Sequence, residues 1–170
     1  MAKLKEPTEL QLAYLAGVID SDGYITINQS CRKGVYYHAP CIGISGTRRQ
    51  PHDLAASFWG GKVYRYAPKN PSHRAQYQWS RQGEAAAEIV ELLFPYLLIK
   101  SDHAVTAGEL WDNILGGKGE NPYPWFGPDY DPMPERFDLR QQMIDLNQSR
   151  NRVRTGRLLD GVQHDGRPEA

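Results

Sequence analysis

Leu15-Ala16-Gly17-Val18-Ile19-Asp20-Ser21-Asp22-Gly23 is the stretch on which the fold turns. It closes an apolar segment that opens with Thr8-Glu9-Leu10-Gln11, a capping-box pattern in which a threonine hydroxyl and a glutamine side chain satisfy free amides at a helix start. The spacing predicts a helix over 9–20 that stops at Gly23. Ala13, Ala16 and Gly17 are small, which lets another helix approach closely. The helix ends in two carboxylates, Asp20 and Asp22. A helix C-terminus already carries about half a negative charge, so acids there are disfavoured by roughly 0.3–1 kcal/mol each. Two acids beside free carbonyls point to a bound cation, and hard oxygen ligands suit Mg²⁺ or a similar metal. The same Asp-x-Asp-Gly is also the chemistry of a polar turn after a core helix.

Beyond Gly23 the apolar period switches from helical to two. Ile25 and Ile27 fall on one face, with Tyr24, Thr26, Asn28 and Ser30 on the other. Arg32-Lys33-Gly34 supplies a turn, and the chain returns from Tyr36 to Ser45 with Ile42 and Ile44 apolar. A short helix opens at Pro51 and stops at Gly60-Gly61. A second hairpin follows, Val63 to Ala67 and Arg74 to Arg81, with Tyr77 and Trp79 inward and Gln76, Gln78 and Ser80 outward. Residues 84–93 are helical and end before Pro95, and Ser101 caps another helix to about Ile114. Residues 116–134 read as a glycine- and proline-rich loop packed by Tyr123, Trp125 and Phe126, or else as a disordered insert, and Pro134 opens a last helix to about Leu146. The order is αββαββα followed by further helices: an α+β class with a one-sided antiparallel sheet. The domain covers 1–150, and 151–170 form a basic, mobile tail.

With 170 residues the chain suits one domain with a sizeable core, and no run approaches a membrane span. Two cysteines, Cys31 and Cys41, are too few for a disulfide framework or a four-ligand zinc site. They point to an intracellular, reducing compartment. The formal net charge of zero conceals a division. Residues 24–82 have a balance of +8 and residues 83–147 one of −8. Such asymmetry marks a polyanion-facing region, or else a solvated basic sheet.

The nine-residue string resembles the signature of the LAGLIDADG homing endonucleases, with Val18 and Ser21 as its two departures. The αββαββα order, Phe58-Trp59-Gly60-Gly61-Lys62-Val63-Tyr64 and Pro95-Tyr96-Leu97-Leu98-Ile99-Lys100 extend that resemblance. It implies a site-specific double-strand endonuclease that cuts a long, near-palindromic DNA target and leaves short 3′ overhangs, as in intron homing. It also implies a curved sheet used as a DNA-binding saddle. One copy of the motif implies a homodimer, with Ala13, Ala16, Gly17 and Asp20 at the interface and the two Asp22 carboxylates near the twofold axis. Symmetric carboxylates that close repel unless divalent ions lie between them. By the motif, Asp22 is the metal ligand and catalytic carboxylate, the Ser21 carbonyl a second donor, and Mg²⁺ the metal, with Mn²⁺ able to substitute. Asp20 looks structural as well, holding the helix end. Lys100 matches the lysine that borders the active site and stabilises phosphate charge or polarises the water network. Where relatives place a water-ordering glutamine this chain has Gly46, so Thr47, Gln50 or a water takes that place.

A curved β-ribbon entering a major groove presents alternate side chains to base edges. Alternation nominates Thr26, Asn28, Ser30, Tyr37, Arg65, Arg74, Gln76 and Gln78 for that face, and Arg32, Lys33, Arg48, Lys69 and Arg81 for phosphates. By resemblance to the family's C-terminal loop, Arg150 and Arg152 are further phosphate candidates. The five histidines show no zinc spacing and read as surface or satisfied residues, and Glu84, Glu88 and Glu91 read as a solvated helical face. The competing reading on the same fold is a non-cleaving binder, an intron RNA maturase or a DNA-binding regulator. A dimeric protein whose basic sheet binds an acidic protein is a third.

Overall fold

The computed structural model describes residues 5–68, 70, 74–116 and 133–156, with the backbone alone from 149 onward. Helix α1 (Glu9–Asp22) leads into strands β1 (Gly23–Arg32) and β2 (Val35–Gly46). Helix α2 (Gln50–Trp59) precedes β3 (Tyr64–Tyr66) and β4 (Gln76–Gln82). Helices α3 (Glu84–Leu93), α4 (Ser101–Gly116) and α5 (Met133–Gly156) follow, with a 3-10 turn at Phe94–Tyr96. The expected αββαββα order and α+β class are what the chain adopts. Among the described residues, no helix is long and apolar enough to cross a membrane.

The capping box at Thr8 forms in both directions, Thr8 N–H donating to Gln11 Oε1 (2.9 Å) and Gln11 N–H to the Thr8 hydroxyl (3.4 Å). The strands form one antiparallel sheet in the order β1-β2-β4-β3. Arg32 pairs with Val35, which leaves a two-residue turn with positive φ at both Lys33 (51°) and Gly34 (81°), the primed geometry that matches strand twist. One face of the sheet carries Ile25, Ile27, Ile42, Ile44 and Trp79, and the helices pack on it through Leu15, Ile19, Ala55, Ile89, Leu93, Ala107 and Leu110, all buried. Trp79 Nε1–H donates to the Gly60 carbonyl (2.8 Å), which ties the end of α2 to β4.

Several expectations need correction. Helix α5 runs to Gly156, ten residues past Leu146, because neither glycine nor proline interrupts 135–155. It therefore passes through the boundary expected at 150/151. The cysteines agree with expectation: Cys31 and Cys41 are both free, and parity puts them on opposite faces of the hairpin, opposite Tyr36 and Thr26. His38, His52 and His103 are buried rather than superficial. The expected loop falls mostly at 117–132, outside the described residues, as do Lys69, the side chains of Arg150 and Arg152, and the tail beyond 156.

Candidate active site

Helix α1 delivers both acids of its last turn, but in different directions. Asp20 turns inward and is 8% exposed. Its carboxylate accepts the amides of Leu98 (2.8 Å), Ile99 (3.1 Å) and Lys100 (2.9 Å). Lys100 completes the exchange: buried to 3% exposure, its ammonium donates to the carbonyl of Asp20 (2.7 Å) and to that of Ile19. A cation at a helix C-terminus complements the macrodipole, and here it adds a second donor to the Ile19 carbonyl, which also accepts the Gly23 amide, and one to the Asp20 carbonyl. Carboxylate and ammonium thus join the end of α1 to the segment that starts α4, whose first turn is anchored by Ala104 N–H on the Lys100 carbonyl (3.0 Å).

Asp22, two residues on, is exposed at the last position of α1, immediately before β1. Ser21 is exposed as well, and its hydroxyl donates back to the Val18 carbonyl (3.2 Å). Gly23 must lack a side chain, since a Cβ there would lie 2.6 Å from Ile19 Cα and 2.8 Å from the Gly43 carbonyl oxygen. With the Ile19 and Asp20 carbonyls engaged by Lys100, the helix end offers the Asp22 carboxylate and the Ser21 carbonyl as outward oxygen donors. Such a set fits a hard divalent cation in chemistry. Among the described residues no three His, Cys, Asp or Glu side chains gather to hold a metal. Gln50 is exposed at the first position of α2, after the loop that follows Gly46. His52 lies beneath that loop, its Nδ1 2.9 Å from the Arg48 carbonyl oxygen.

Across the sheet from the helices is an open face. Strand parity puts Thr26, Asn28, Ser30 and Arg32 of β1, Tyr37 of β2, and Gln76 and Gln78 of β4 on it, as expected. Arg74 is exposed just before β4, and Arg48 is exposed in the loop after β2. Arg65 and Arg81 are corrections: they sit opposite Tyr77 and Ile42, so they project to the helix side of the sheet. In the edge strand β3 the open-face residues are Tyr64 and Tyr66, about half exposed. Applying the parity of Trp79 across the second hairpin would have found them. Tyr24 lies across Gly43, where a Cβ would meet the phenol oxygen at 2.5 Å, and Gln78 Nε2 donates to that oxygen (3.4 Å). Cys41 is enclosed under the same face beside Gln82, Asn28 and Tyr24, and burial pushes its thiol pKa up.

By sequence, no family model and no curated protein matches the chain. Solved structures do. The homing endonuclease I-CvuI, in complex with its target in the presence of calcium, superposes with a TM-score of 0.59 at 20% identity, over 81% of this chain and 82% of that one. The archaeal intron-encoded I-Vdi141I, complexed with DNA, gives 0.62 at 12% identity over 81% and 84%. I-TnaI gives 0.59 at 13% over 88% and 99%. The fold is that of the LAGLIDADG homing endonucleases. Against the LAGLIDADG endonuclease I-GzeII, in complex with its DNA target, the match takes in 78% of this chain but 44% of the other.

The LAGLIDADG helix also divides the four residues expected at a partner surface. Ala13 and Gly17 are exposed, on a stripe with Leu10 (84% exposed) and Tyr14 (51%). Ala16 is fully buried in the chain's own core and Asp20 is engaged with residues 98–100, so neither faces outward. The helical period puts 16 and 20 in line with one another on the inner face.

Proposed function

We propose that the chain is a site-specific, divalent-metal-dependent DNA endonuclease of the LAGLIDADG type that works as a homodimer on a long, near-palindromic duplex and leaves short 3′ overhangs. The observation that carries this reading is Asp22, exposed at a helix end that Asp20 and Lys100 lock in place, on a chain whose sheet also has an open face of hydrogen-bonding side chains. Solved relatives of the same fold are complexes with DNA, some in the presence of calcium or magnesium, which supports a DNA target and a divalent ion. The half-length match to I-GzeII, with the exposed Leu10-Ala13-Tyr14-Gly17 stripe, supports two copies acting together.

In this reading Asp22 and the Ser21 carbonyl hold Mg²⁺, or Mn²⁺ in its place. The bound cation supplies Lewis acidity toward a phosphate oxygen and raises the acidity of water. Lys100 acts one layer back, through the α1 carbonyls it holds. Thr26, Asn28, Ser30, Tyr37, Gln76 and Gln78 meet base edges in the major groove, where asparagine and glutamine suit adenine. Arg32, Lys33, Arg48 and Arg74 reach phosphates, which position the duplex without specifying it. The free cysteines support work in an intracellular, reducing compartment.

Gly46, in place of a water-ordering glutamine, favours a second reading: a binder on the same fold that does not cut. Selection from a randomised duplex library, with and without Mg²⁺ or Mn²⁺, separates the two. The endonuclease produces double-strand cuts only with metal, and Asp22→Asn lowers cutting about a hundredfold or more while specific binding persists. Specific binding with no cut under either metal removes the enzyme reading, and loss of binding along with cutting in Asp22→Asn makes that carboxylate structural.

A further inference from the structure

The strongly acidic segment leaves a surface that DNA binding does not use. Helices α3 and α4 expose Glu84, Glu88, Glu91, Asp102, Glu109 and Asp112 and carry no lysine or arginine. Between them runs an open groove of about 360 Å³, with Val90, Phe94 and Val105 in its apolar lining and Glu88, Glu91 and Asp112 along it. Phe94 and Val105 remain 44% and 45% exposed there. Both helices pack on β2 from the side of Ile42 and Ile44, so the groove opens away from the face assigned to DNA.

Gly108 makes the groove more than an accident of packing. It sits in the middle of α4, where glycine is the poorest helix former after proline. A Cβ at Gly108 would meet nothing within 4 Å, so no contact inside the chain calls for its bare backbone. A side chain there would occupy the groove instead. Gly17 in α1 is the same case, a mid-helix glycine with open space before it, and it lies on the stripe assigned to a second copy.

We propose that the α3–α4 groove docks a basic amphipathic helix from a partner protein. Apolar side chains at i, i+3, i+4 and i+7 of that helix fill the groove over Val90, Val105 and Gly108, and its flanking lysines or arginines meet Glu88, Glu91 and Asp112. Three acids along a groove whose two helices carry no lysine or arginine disfavour an acidic or neutral ligand helix, and the apolar lining disfavours a merely basic, disordered one. The groove lining on α4 spans residues 104–112, about 12 Å of helix, which matches two turns of an incoming helix.

The test uses the full-length chain and a fluorescein-labelled helical peptide with leucine at i, i+3, i+4 and i+7 and lysine elsewhere. Two further peptides serve as controls, one of the same composition scrambled to lose its apolar face and one with glutamate for lysine. Anisotropy titration should show binding of the first, with both controls weaker by about tenfold or more. Gly108→Gln, which fills the groove while favouring the helix, should weaken the first peptide by a similar factor and leave the melting temperature unchanged or higher. Charge reversal at Glu88 and Glu91 should do the same, and saturating the chain with duplex DNA should change nothing. Equal binding of the scrambled peptide, or a Gly108→Gln variant that binds normally, overturns the proposal. So does a Gly108→Gln effect confined to self-association in sedimentation, since the occupant is then another copy.

Discussion

Replacing Asp20 with alanine tests whether the junction of α1 and α4 holds the candidate site together. The wild-type carboxylate accepts three backbone amides at 2.8, 3.1 and 2.9 Å. Each bond to a charged group contributes about 1.5–3 kcal/mol, but the three share one acceptor and do not add freely. The better measure is the loss of a buried charged acceptor that leaves its amides without a partner, about 3–5 kcal/mol in all. Against a total stability of about 5–15 kcal/mol that is a large fraction, and it lowers the melting temperature by roughly 10 °C. Urea unfolding followed by circular dichroism should show the midpoint falling with little change in slope. Asp20→Asn keeps an acceptor but loses the charge, so its cost should fall in between. Asp20→Ala combined with Lys100→Met should cost clearly less than the sum of the two single changes. All variants belong in a Gly17→Leu background, where dissociation of a dimer does not enter the midpoint. A cost for Asp20→Ala below about 1 kcal/mol, or strict additivity with Lys100→Met, would refute the reasoning.

Gly17→Leu itself adds a side chain to an exposed position with open space around it, so the chain should fold with α1 at least as stable, and on the proposed homodimer it should sediment as a monomer while the wild type sediments as a dimer. A variant that stays dimeric contradicts the interface. Lys33 holds φ at 51° without being glycine, and Lys33→Asn should raise stability by about 0.5–1 kcal/mol in urea; a neutral or negative change argues against strain in that turn. Burial, then Arg136 and Arg140, hold the His38 imidazole below its ordinary value of 6.5. The unfolded chain therefore takes up this proton first as pH falls, so stability declines below pH 6.5 until His38 also titrates in the folded state. His38→Gln should flatten that decline, and identical pH profiles for the two proteins would sink the assignment.

How much was legible depended on whether the decisive contact was local in sequence. The cap at Thr8, the stop at Gly23 and the period-two run of Ile25 and Ile27 are all local, and the chain adopts them. Sheet faces were legible only where a large apolar residue fixed the parity. Trp79 set β4 correctly from Gln76 to Ser80, though its parity was not carried on to Arg81; β3 has three residues and no such anchor, and Arg65 went to the wrong face for that reason. Composition suggested a loose end after Leu146, whereas Asn147 to Thr155 contains no breaker and the helix continues. Lys100 was visible as a motif residue. Its reach back to Ile19 and Asp20, across about eighty positions, could not be read from spacing. The same contact explains Asp20, whose position in the motif suggested a role and whose partners lie far away in sequence.

The division of labour between Asp20 and Asp22 also bears on why the site looks incomplete in one chain. The inner acid is held by the 98–100 amides and Lys100 by the carbonyls of the helix end, while the outer acid faces solvent. A lone carboxylate and a carbonyl are too few donors for the six to eight oxygens that hard divalent ions take. In the proposed reading the remaining oxygens come from the DNA and from a second copy, and the stripe of Leu10, Ala13, Tyr14 and Gly17 lies on the same helix that carries Asp22. On the proposed homodimer, dimerisation and metal capture are coupled, and a monomeric Gly17→Leu variant should lose metal-dependent cutting even though Asp22, Asp20 and Lys100 are untouched.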